Sequence, residues 1–440
     1  MNYLNSILFA ILLLFGFGFF AINVKKIIRN ISLGQKINRS DNAPSRWKNM
    51  AMIALGQQKM VKKPVMGILH IIVYVGFIVI NIELLEIIID GLFGTHRIFA
   101  FLPFYNFLIA SFEILAFLVL VAVIVFWTRR NVLKLKRFIS SDLTGWPKSD
   151  ANYILYFEVV LMSLFLLMNA SDLYLQNQNF SHYHQAGSFP IAQFLVPIFN
   201  GLAPEKVALF ERIVWWLHIS GILLFANYLY FSKHLHILLA FPNTYFADLN
   251  AKGKFDNLES VTKEVKLMMD PNADPFAAAP ADAVPSKFGA SDVQDLNWVQ
   301  LLNAYTCTEC GRCTDACPAN ATGKKLSPRK IMMQTRDRLE VVGKNIDKNK
   351  GIFIPDNKTL LNDYITTEEL WACTSCNACV EECPVNISPL SIIMDMRRYL
   401  VMEQSAAPMS VNAMMANIEN NGAPWQYNQQ DRLNWKNELN

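Results

Sequence analysis

Long uninterrupted apolar runs fill the first 240 residues of the chain. Each is about the 20 residues or more that an α-helix needs to cross a bilayer, and they lie near residues 4–23, 65–89, 102–127, 153–175 and 211–238. The first run is followed by Lys25, Lys26 and Arg29, with no small-residue cleavage site. It therefore predicts a retained anchor and not a removable signal peptide. The pattern predicts a five-helix transmembrane bundle over residues 1–240.

The pattern changes after this bundle. Residues 241–295 are expected to form a linker, because residues 270–282 (DPNADPFAAAPAD) are rich in Pro, Ala and Asp and lack an apolar period. All eight cysteines follow, in a predicted helical domain over residues 296–400. Within it, residues 327–339 begin with Ser-Pro and continue at helical period. A tail rich in Asn, Gln and Met, residues 401–440, is predicted to become ordered on a partner.

Composition narrows the class of protein. The chain is 52% hydrophobic and only 17% charged, which argues against a single soluble globule. The cysteine-bearing segment equally argues against an all-membrane transporter. Small disulfide-stapled scaffolds are short and rich in cysteine throughout, unlike this chain.

Lysine and arginine predict the orientation. The loops after the first and third apolar runs hold sixteen of these residues, and the two opposite connections hold only Arg97 and Lys206. The positive-inside rule places the amino terminus outside and the cysteine domain in the cytoplasm, with the helices in a bacterial inner membrane. Topology accounts for the basic residues, so no nucleic-acid partner is expected.

The cysteines form two copies of one motif, CTECGRCTDACP and CTSCNACVEECP. The spacing C-x2-C-x2-C-x3-C-P is that of two-cluster bacterial ferredoxins, in which the fourth cysteine ligates the other cluster. The predicted ligand sets of two [4Fe-4S] clusters are Cys307, Cys310, Cys313 and Cys383 for the first, and Cys373, Cys376, Cys379 and Cys317 for the second. Structural zinc is the alternative, but it requires neither the third cysteine nor the Cys-Pro step.

Histidines in the apolar runs are candidate haem ligands. His70 lies near the cytoplasmic end of the second predicted helix, His218 toward the outer end of the fifth, and His234 and His236 at its cytoplasmic end. In a continuous helix the 18 residues from His218 to His236 make five turns, about 27 Å, and place both on one face. We therefore expect His70 and His236 to bind one haem b, with His234 as the alternative. The competing interpretation is interfacial histidines that contact headgroups or water.

Carboxylates also lie within the apolar runs, where an unpaired charge is costly. Glu83 and Glu86 are at the depth of His218, and we expect these three residues to flank an outer quinone site that couples electrons to protons. The alternative is snorkelling for Glu86 and Asp172, and interhelical hydrogen bonds for Glu113 and Glu158.

Several stretches resemble known families. The cysteine domain resembles the helical ferredoxin modules of heterodisulfide reductase C-type subunits and succinate dehydrogenase iron–sulfur subunits. Five helices with histidines on the second and fifth resemble the gamma subunit of respiratory nitrate reductase, which implies a haem b domain with a quinol site. In that family a second histidine follows ten residues after the first, where this chain has Ile80. A second haem, held by His218, is therefore an open expectation.

The whole arrangement resembles membrane iron–sulfur oxidoreductases related to heterodisulfide reductase subunits D and E, and to M and K subunits of the sulfite-reduction complex. The stretches GQQKMVKKP, GILH and SKHLHILLAFPNTYF carry this likeness, and one branch is similar to electron-transfer-flavoprotein:menaquinone oxidoreductases. Family members usually continue into CCG domains that bind another cluster. No CCG motif occurs in this sequence, which implies either that a separate subunit supplies one or that the catalytic partner differs.

The expected function is that of an electron-transfer subunit of a quinone-linked oxidoreductase. Electrons would pass between a cytoplasmic flavoprotein or CCG-domain subunit, the two clusters, haem b and menaquinone or ubiquinone. The first alternative is quinol oxidation for a heterodisulfide or sulfur-type reductase. The second is a haem-free membrane anchor for a flavin dehydrogenase.

Overall fold

The computed structural model describes residues 3–272 and 287–439, and over these residues the chain is helical without strands. Two isolated bridges, one of them between Gln35 and Asn297, are its β-type contacts there. The predicted fold class, a mainly α chain with a helical bundle followed by a helical cysteine domain, is confirmed.

Five of the helices are long and apolar enough to cross a membrane, as predicted. Their bounds are α1 Tyr3–Ile31, α3 Pro64–Phe93, α4 Tyr105–Asn131, α5 Trp146–Asn177 and α6 Pro204–Tyr228. Large apolar side chains such as Leu14 and Phe107, exposed by 75% and 73%, point away from the bundle, as lipid-facing residues do. The chain is a multi-pass membrane protein.

The fifth predicted helix, residues 211–238, is not continuous, and this corrects the sequence-based geometry. Helix α6 ends at Tyr228, a 3-10 turn follows over Leu229–Phe231, and Ser232 is extended at φ −112° and ψ 147°. The Ser232 hydroxyl accepts a hydrogen bond from the His234 amide, which caps a new turn. Counting 100° per residue from His218 to His236 is therefore invalid.

Shorter helices complete the fold. They are α2 Ala43–Met50 with its π-helical extension Ala51–Leu55, α7 His236–Tyr245, α8 Glu259–Met269, α9 Trp298–Thr306, α10 Arg312–Asp315, α11 Pro318–Ala321, α12 Pro328–Lys348, the kinked α13 Leu360–Asp363, α14 Thr367–Trp371, α15 Ala378–Glu382, α16 Pro389–Met402 and α17 Met409–Asn421. The further 3-10 turns are Ile98–Phe101, Lys136–Phe138, Ser141–Leu143, Ala192–Phe194, Val196–Phe199, Lys233–Leu235, Val293–Asp295 and Gln429–Lys436. The Ser327 hydroxyl accepts a hydrogen bond from the Lys330 amide and so caps α12, and Pro328 is the first residue of the helix. The predicted Ser-Pro helix start is confirmed.

The two halves of the chain share one hydrophobic core. Ile27 of α1 and Leu235 pack in the same buried cluster as Leu296 and Leu301 of the cysteine half. Residues 287–295, within the predicted linker, join this core through Val293. Most of the Pro/Ala/Asp-rich segment lies outside the described residues. We call the helix ends that contact the cysteine half the cysteine side, and the opposite ends the far side.

A buried ion pair ties the halves together. Arg329 of α12, 1% exposed, donates to both carboxylate oxygens of Asp142, in the loop between α4 and α5, at 3.0 and 2.6 Å. It also donates to the Arg137 carbonyl at 2.8 Å. Burial would raise the pKa of Asp142, but the hydrogen bonds from Arg329 outweigh it and hold the pKa below its usual value. This contribution is therefore complete above about pH 4 and is lost as the pH falls through the lowered pKa.

Replacing Asp142 by Ala should strongly destabilise the packing of the two halves, because it leaves the Arg329 guanidinium buried without its carboxylate. The expected cost is about 3–5 kcal/mol, measured as a lower thermal midpoint in detergent and faster proteolytic separation of the halves. The control is Glu368→Gln, which breaks a Lys325 pair whose side chains are 71% and 62% exposed and should change stability by less than about 1 kcal/mol. Equal midpoints for the two variants would contradict the assignment.

Candidate functional site: cysteine motifs, a histidine cluster and a far-side recess

The two cysteine motifs have matching backbones. Glu309 and Gly311 in the first motif have φ of 53° and 77°, and Ser375 and Asn377 in the second have 57° and 60°. These left-handed residues flank Cys310 and Cys376 and curl each segment into a loop ahead of a short helix. Gly311 is required for space as well, because a Cβ there would lie 2.6 Å from Arg329 Nη1.

One recess contains the predicted second ligand set. Cys317 of the first motif lines it together with Cys373, Cys376 and Cys379 of the second. Leu390, Ile393 and Pro328 close the recess with apolar surface. The structure therefore places the fourth cysteine of one motif with the first three of the other.

Cys383 is close enough to the first motif for its thiolate form to repel those of Cys310 and Cys313. Burial raises the pKa of Cys383 to about 11 and that of Cys307 to about 12. Such thiols stay protonated at neutral pH until a metal supplies positive charge, so loading with iron should release protons. Within the described residues, no group of three or more His, Cys, Asp or Glu side chains is arranged to hold a single metal ion.

Three histidines meet at the cysteine side of the bundle. His70 of α3 and His236 are near enough for their charges to interact, and the His234 and His236 rings lie 5.3 Å apart. His236 donates from Nδ1 to the Lys233 carbonyl at 3.1 Å, and its Nε2 makes no hydrogen bond to the part of the chain that the structure describes. His70 Nδ1 is buried without a hydrogen-bond partner among the described residues.

His234 has different surroundings. Its Nε2 lies 3.7 Å from the Glu158 carboxylate, and its ring packs against Phe225 at 5.7 Å. Burial, followed by the neighbouring His236 and His70, lowers the pKa of His234 to about 3. His234 therefore has a carboxylate next to its Nε2, whereas His236 is bound through Nδ1 to a backbone carbonyl. These different surroundings distinguish the two histidines, which the sequence left as alternatives.

The histidines adjoin the first cysteine motif. Arg312, the residue before Cys313, is near enough for its charge to act on His70. Its Nη1 donates to the Lys59 carbonyl at 3.3 Å, in the loop that leads into α3. The membrane bundle and the first cysteine motif therefore meet at the histidine cluster.

The third predicted group is only partly brought together. Glu83 and Glu86 line a recess at the far side, whereas His218 does not. His218 lies one turn from Trp215, which does line the recess, and packs against Phe165 at 5.9 Å. Its Nδ1 is buried and unpartnered within the described residues.

Arg97 organises this far-side recess, a role that was not predicted from the sequence. Its guanidinium donates to Asp172 at 2.8 Å, to Asn169 at 2.8 Å and to Glu83 at 3.3 Å. Burial opposes the charge of Arg97, but Asp172 foremost, and Glu83 with it, raise its pKa well above the ordinary value. The available signal was a lone arginine in a connection almost free of basic residues.

The carboxylates of Glu86 and Glu113, also in the apolar runs, are hydrogen-bonded inside the protein, whereas Glu158 has, among the described residues, only His234 at 3.7 Å. Tyr105 donates to Glu86 at 2.9 Å, and the amides of Ile191 and Ala192 donate to Glu113 at 2.9 and 3.1 Å. Glu86 and Asp172 are each 3% exposed, so they do not snorkel to the surface. The interpretation as internal hydrogen-bonding groups fits them better.

Comparisons with known proteins agree with the cysteine motifs. Residues 306–387 match the 4Fe-4S dicluster domain family. The chain is 30% identical to a probable iron–sulfur-binding oxidoreductase, FadF, of Bacillus subtilis, over 99% of this chain and 61% of the relative. It is 25% identical to an EtfAB:quinone oxidoreductase of Syntrophomonas wolfei, over 92% of this chain and 55% of the relative.

Other relatives match shorter parts of the chain. A probable membrane-anchored ferredoxin of Chromohalobacter salexigens is 32% identical over 36% of this chain and 25% of the relative. Heterodisulfide reductase subunits C and D from Methanosarcina species are also similar to parts of the chain. The chain spans only 61% of the length of the FadF relative and 55% of that of the EtfAB:quinone oxidoreductase, and no solved structure matches it.

Fold and motifs together define the class: a multi-pass membrane protein with a 4Fe-4S dicluster domain. More particularly, the chain is related to iron–sulfur electron-transfer oxidoreductases, including a quinone oxidoreductase and heterodisulfide reductase subunits.

The crossed ligand sets predict which cysteine variants should behave alike. Cys317→Ser should give the same electron-paramagnetic-resonance spectrum and iron loss as Cys376→Ser, although Cys317 belongs to the first motif. Cys383→Ser should in turn match Cys310→Ser. Each pair serves as the control for the other, and pairing by motif, with Cys317→Ser matching Cys310→Ser, would contradict the crossed assignment.

Proposed function

We propose that the chain transfers electrons between a soluble redox partner and the membrane quinone pool through two [4Fe-4S] clusters and a haem b held at the cysteine side. The observation that carries the proposal is the contact between the halves, where Arg312, beside Cys313, donates to the Lys59 carbonyl ahead of α3 and lies near enough for its charge to act on His70. A membrane anchor alone would not need buried histidines at this junction.

The histidine cluster fits a b-type haem, which supplies a one-electron carrier when it is bound. His70 and His236 would hold the haem iron, because among the described residues His70 has a buried nitrogen without a partner and His236 Nε2 makes no hydrogen bond. The bond from His236 Nδ1 to the Lys233 carbonyl fixes the tautomer and orients the ring, as is usual for a metal-binding histidine. His234 is the less suitable alternative, since its Nε2 faces Glu158.

Haem content tests this assignment. His70→Ala and His236→Ala should each abolish b-type absorbance in the purified chain and retain the iron–sulfur signal. His234→Ala is the matched control, two residues from His236, and should keep most of the absorbance. Absence of haem from the wild-type chain would overturn the haem proposal and leave an anchor function. If His234→Ala lost the absorbance and His236→Ala retained it, the ligand would be His234 in place of His236.

The exposed cysteine marks the proposed entry for the partner. Cys376 is exposed, whereas the other seven cysteines are buried or partly buried. An electron carrier from solution could approach the second cluster more closely than the first, which lies against the bundle. The similarity to an EtfAB:quinone oxidoreductase supports a flavoprotein as this partner, and a CCG-domain subunit is the second candidate. The proposed orientation puts this face in the cytoplasm of a bacterium and the amino terminus outside.

The far-side recess is the proposed quinone site. It combines the apolar side chains of Ile87, Met168 and Trp215 with a charged lining, which consists of Glu83, Glu86, Asp90, Asp172, Glu211, Arg97 and Arg212. One Glu83 oxygen is held by Arg97, and the other is buried without a hydrogen-bond partner in the described part of the chain. That free oxygen can accept or return a proton when the quinone headgroup changes redox state.

His218 links the recess with the haem level. Glu83 is thirteen residues beyond His70 on α3, about 20 Å at 1.5 Å per residue. His218 lies one turn below the recess, toward the cysteine side. We propose that His218 serves either the quinone or a second haem in this interval.

Glu83→Gln should lower quinone-linked turnover by about 100-fold, the usual contribution of a positioned acid–base group. Haem absorbance and iron content should stay at the wild-type level. Glu205→Gln is the control, because Glu205 is an exposed carboxylate on the same side of the bundle, at the start of α6. Unchanged turnover in Glu83→Gln would exclude the recess as the proton-coupled site.

A further inference from the structure

The loop between α2 and α3, residues 56–63, is held rigidly beneath the cysteine half. A Cβ on Gly67 would lie 2.8 Å from the Val61 Cα, so the loop backbone packs directly on the first turn of α3. Gln57 adopts a left-handed φ of 51°, which folds the loop back. The position of Lys59 is therefore set by the backbone on both sides of it.

Lys59 contacts both segments that build the first ligand set. Its Nζ donates to the Cys383 carbonyl at 3.1 Å and to the Val380 carbonyl at 3.4 Å, at the carboxyl end of α15. A cation at the end of a helix also interacts favourably with the exposed carbonyls there. The Lys59 carbonyl accepts the bond from Arg312, next to Cys313.

The neighbouring lysines behave differently. Lys62 pairs with Glu381 at 2.8 Å and Lys63 with Glu382 at 3.8 Å, and their side chains are 57% and 47% exposed. Lys59 is partly buried and makes no ion pair with a carboxylate among the described residues. Its charge interacts most with Cys383, a proposed cluster ligand.

We propose that Lys59 is a positioning residue for the first cluster: it holds Cys383 in the crossed ligand set and raises the reduction potential of that cluster. The inference rests on the proposed electron-transfer function. Reduction adds one negative charge to a cluster and makes or breaks no covalent bond. A fixed cation that is not neutralised nearby stabilises the reduced form, and net charge and hydrogen bonding are known determinants of cluster potential. The membrane half would thereby favour electrons at the cluster nearest to it.

A redox titration followed by electron paramagnetic resonance tests this on the purified full chain in detergent. Lys59→Gln should make reduction of one cluster about tenfold less favourable, which is a fall of about 59 mV for one electron. Lys62→Gln is the control and should leave both potentials unchanged, because its charge is exposed and already paired. Lys59→Arg should retain the wild-type potential, since it keeps the cation.

A reciprocal variant identifies which cluster has shifted. Arg397 donates to the Cys373 carbonyl at 2.5 Å, so Arg397→Gln should shift the reduction potential of the second cluster. Lys59→Gln should leave the potential of that second cluster unchanged. If the Lys59→Gln variant no longer binds the first cluster, the potential of that cluster cannot be measured in it, and the Lys59→Arg variant then tests the proposal. Restored signal at the wild-type potential supports the proposal, and restored signal at a lowered potential overturns it. Two clusters with unchanged potentials in Lys59→Gln would overturn this inference alone, whereas a wild-type chain without [4Fe-4S] signals would overturn the proposed function too.

Discussion

The buried bidentate contact between Arg329 and Asp142 is the constraint on which the arrangement of the protein depends. An arginine that is 1% exposed can keep its charge only if its carboxylate and carbonyl partners are in place. Those partners belong to the loop between two apolar helices, so Arg329 is satisfied only when the cysteine half packs on the bundle. The shared hydrophobic core around Ile27 and Leu296 then fills the space between the halves.

This contact decides what the cysteine motifs face. With α12 fixed on the bundle, Arg312 and Cys313 lie over the start of α3, and Cys376 lies at the surface. The chain is therefore asymmetric along the line joining the two motifs. One end is joined to the membrane helices through Lys59 and the histidine cluster, and the other is open to solution. Such asymmetry suits a protein that connects a soluble partner to a membrane substrate.

Part of the fold and of the candidate site could be predicted from short stretches of the sequence. Five apolar runs of sufficient length and two copies of a metal-binding spacing indicate helices and ligands without any tertiary information. The choice between His234 and His236 was different, because helical phase holds only in an unbroken helix. The break at Ser232 carries neither proline nor glycine to signal it. The pairing of Arg97 with Asp172 was also hidden, since it depends on how two helices and a connection pack.

The far-side recess is costly to maintain, and that cost bears on its role. Arg97 stays charged there beside Asp172 and Glu83, and Arg212 pairs with Glu211, yet the five carboxylates that line the recess outnumber its two guanidiniums. Packed apolar residues of similar volume would usually stabilise a helix bundle at least as well as such a network. A carboxyl oxygen without a partner adds a further cost. Stability of the bundle therefore does not explain why these groups are retained, whereas the proton exchange proposed for this recess would give them a role.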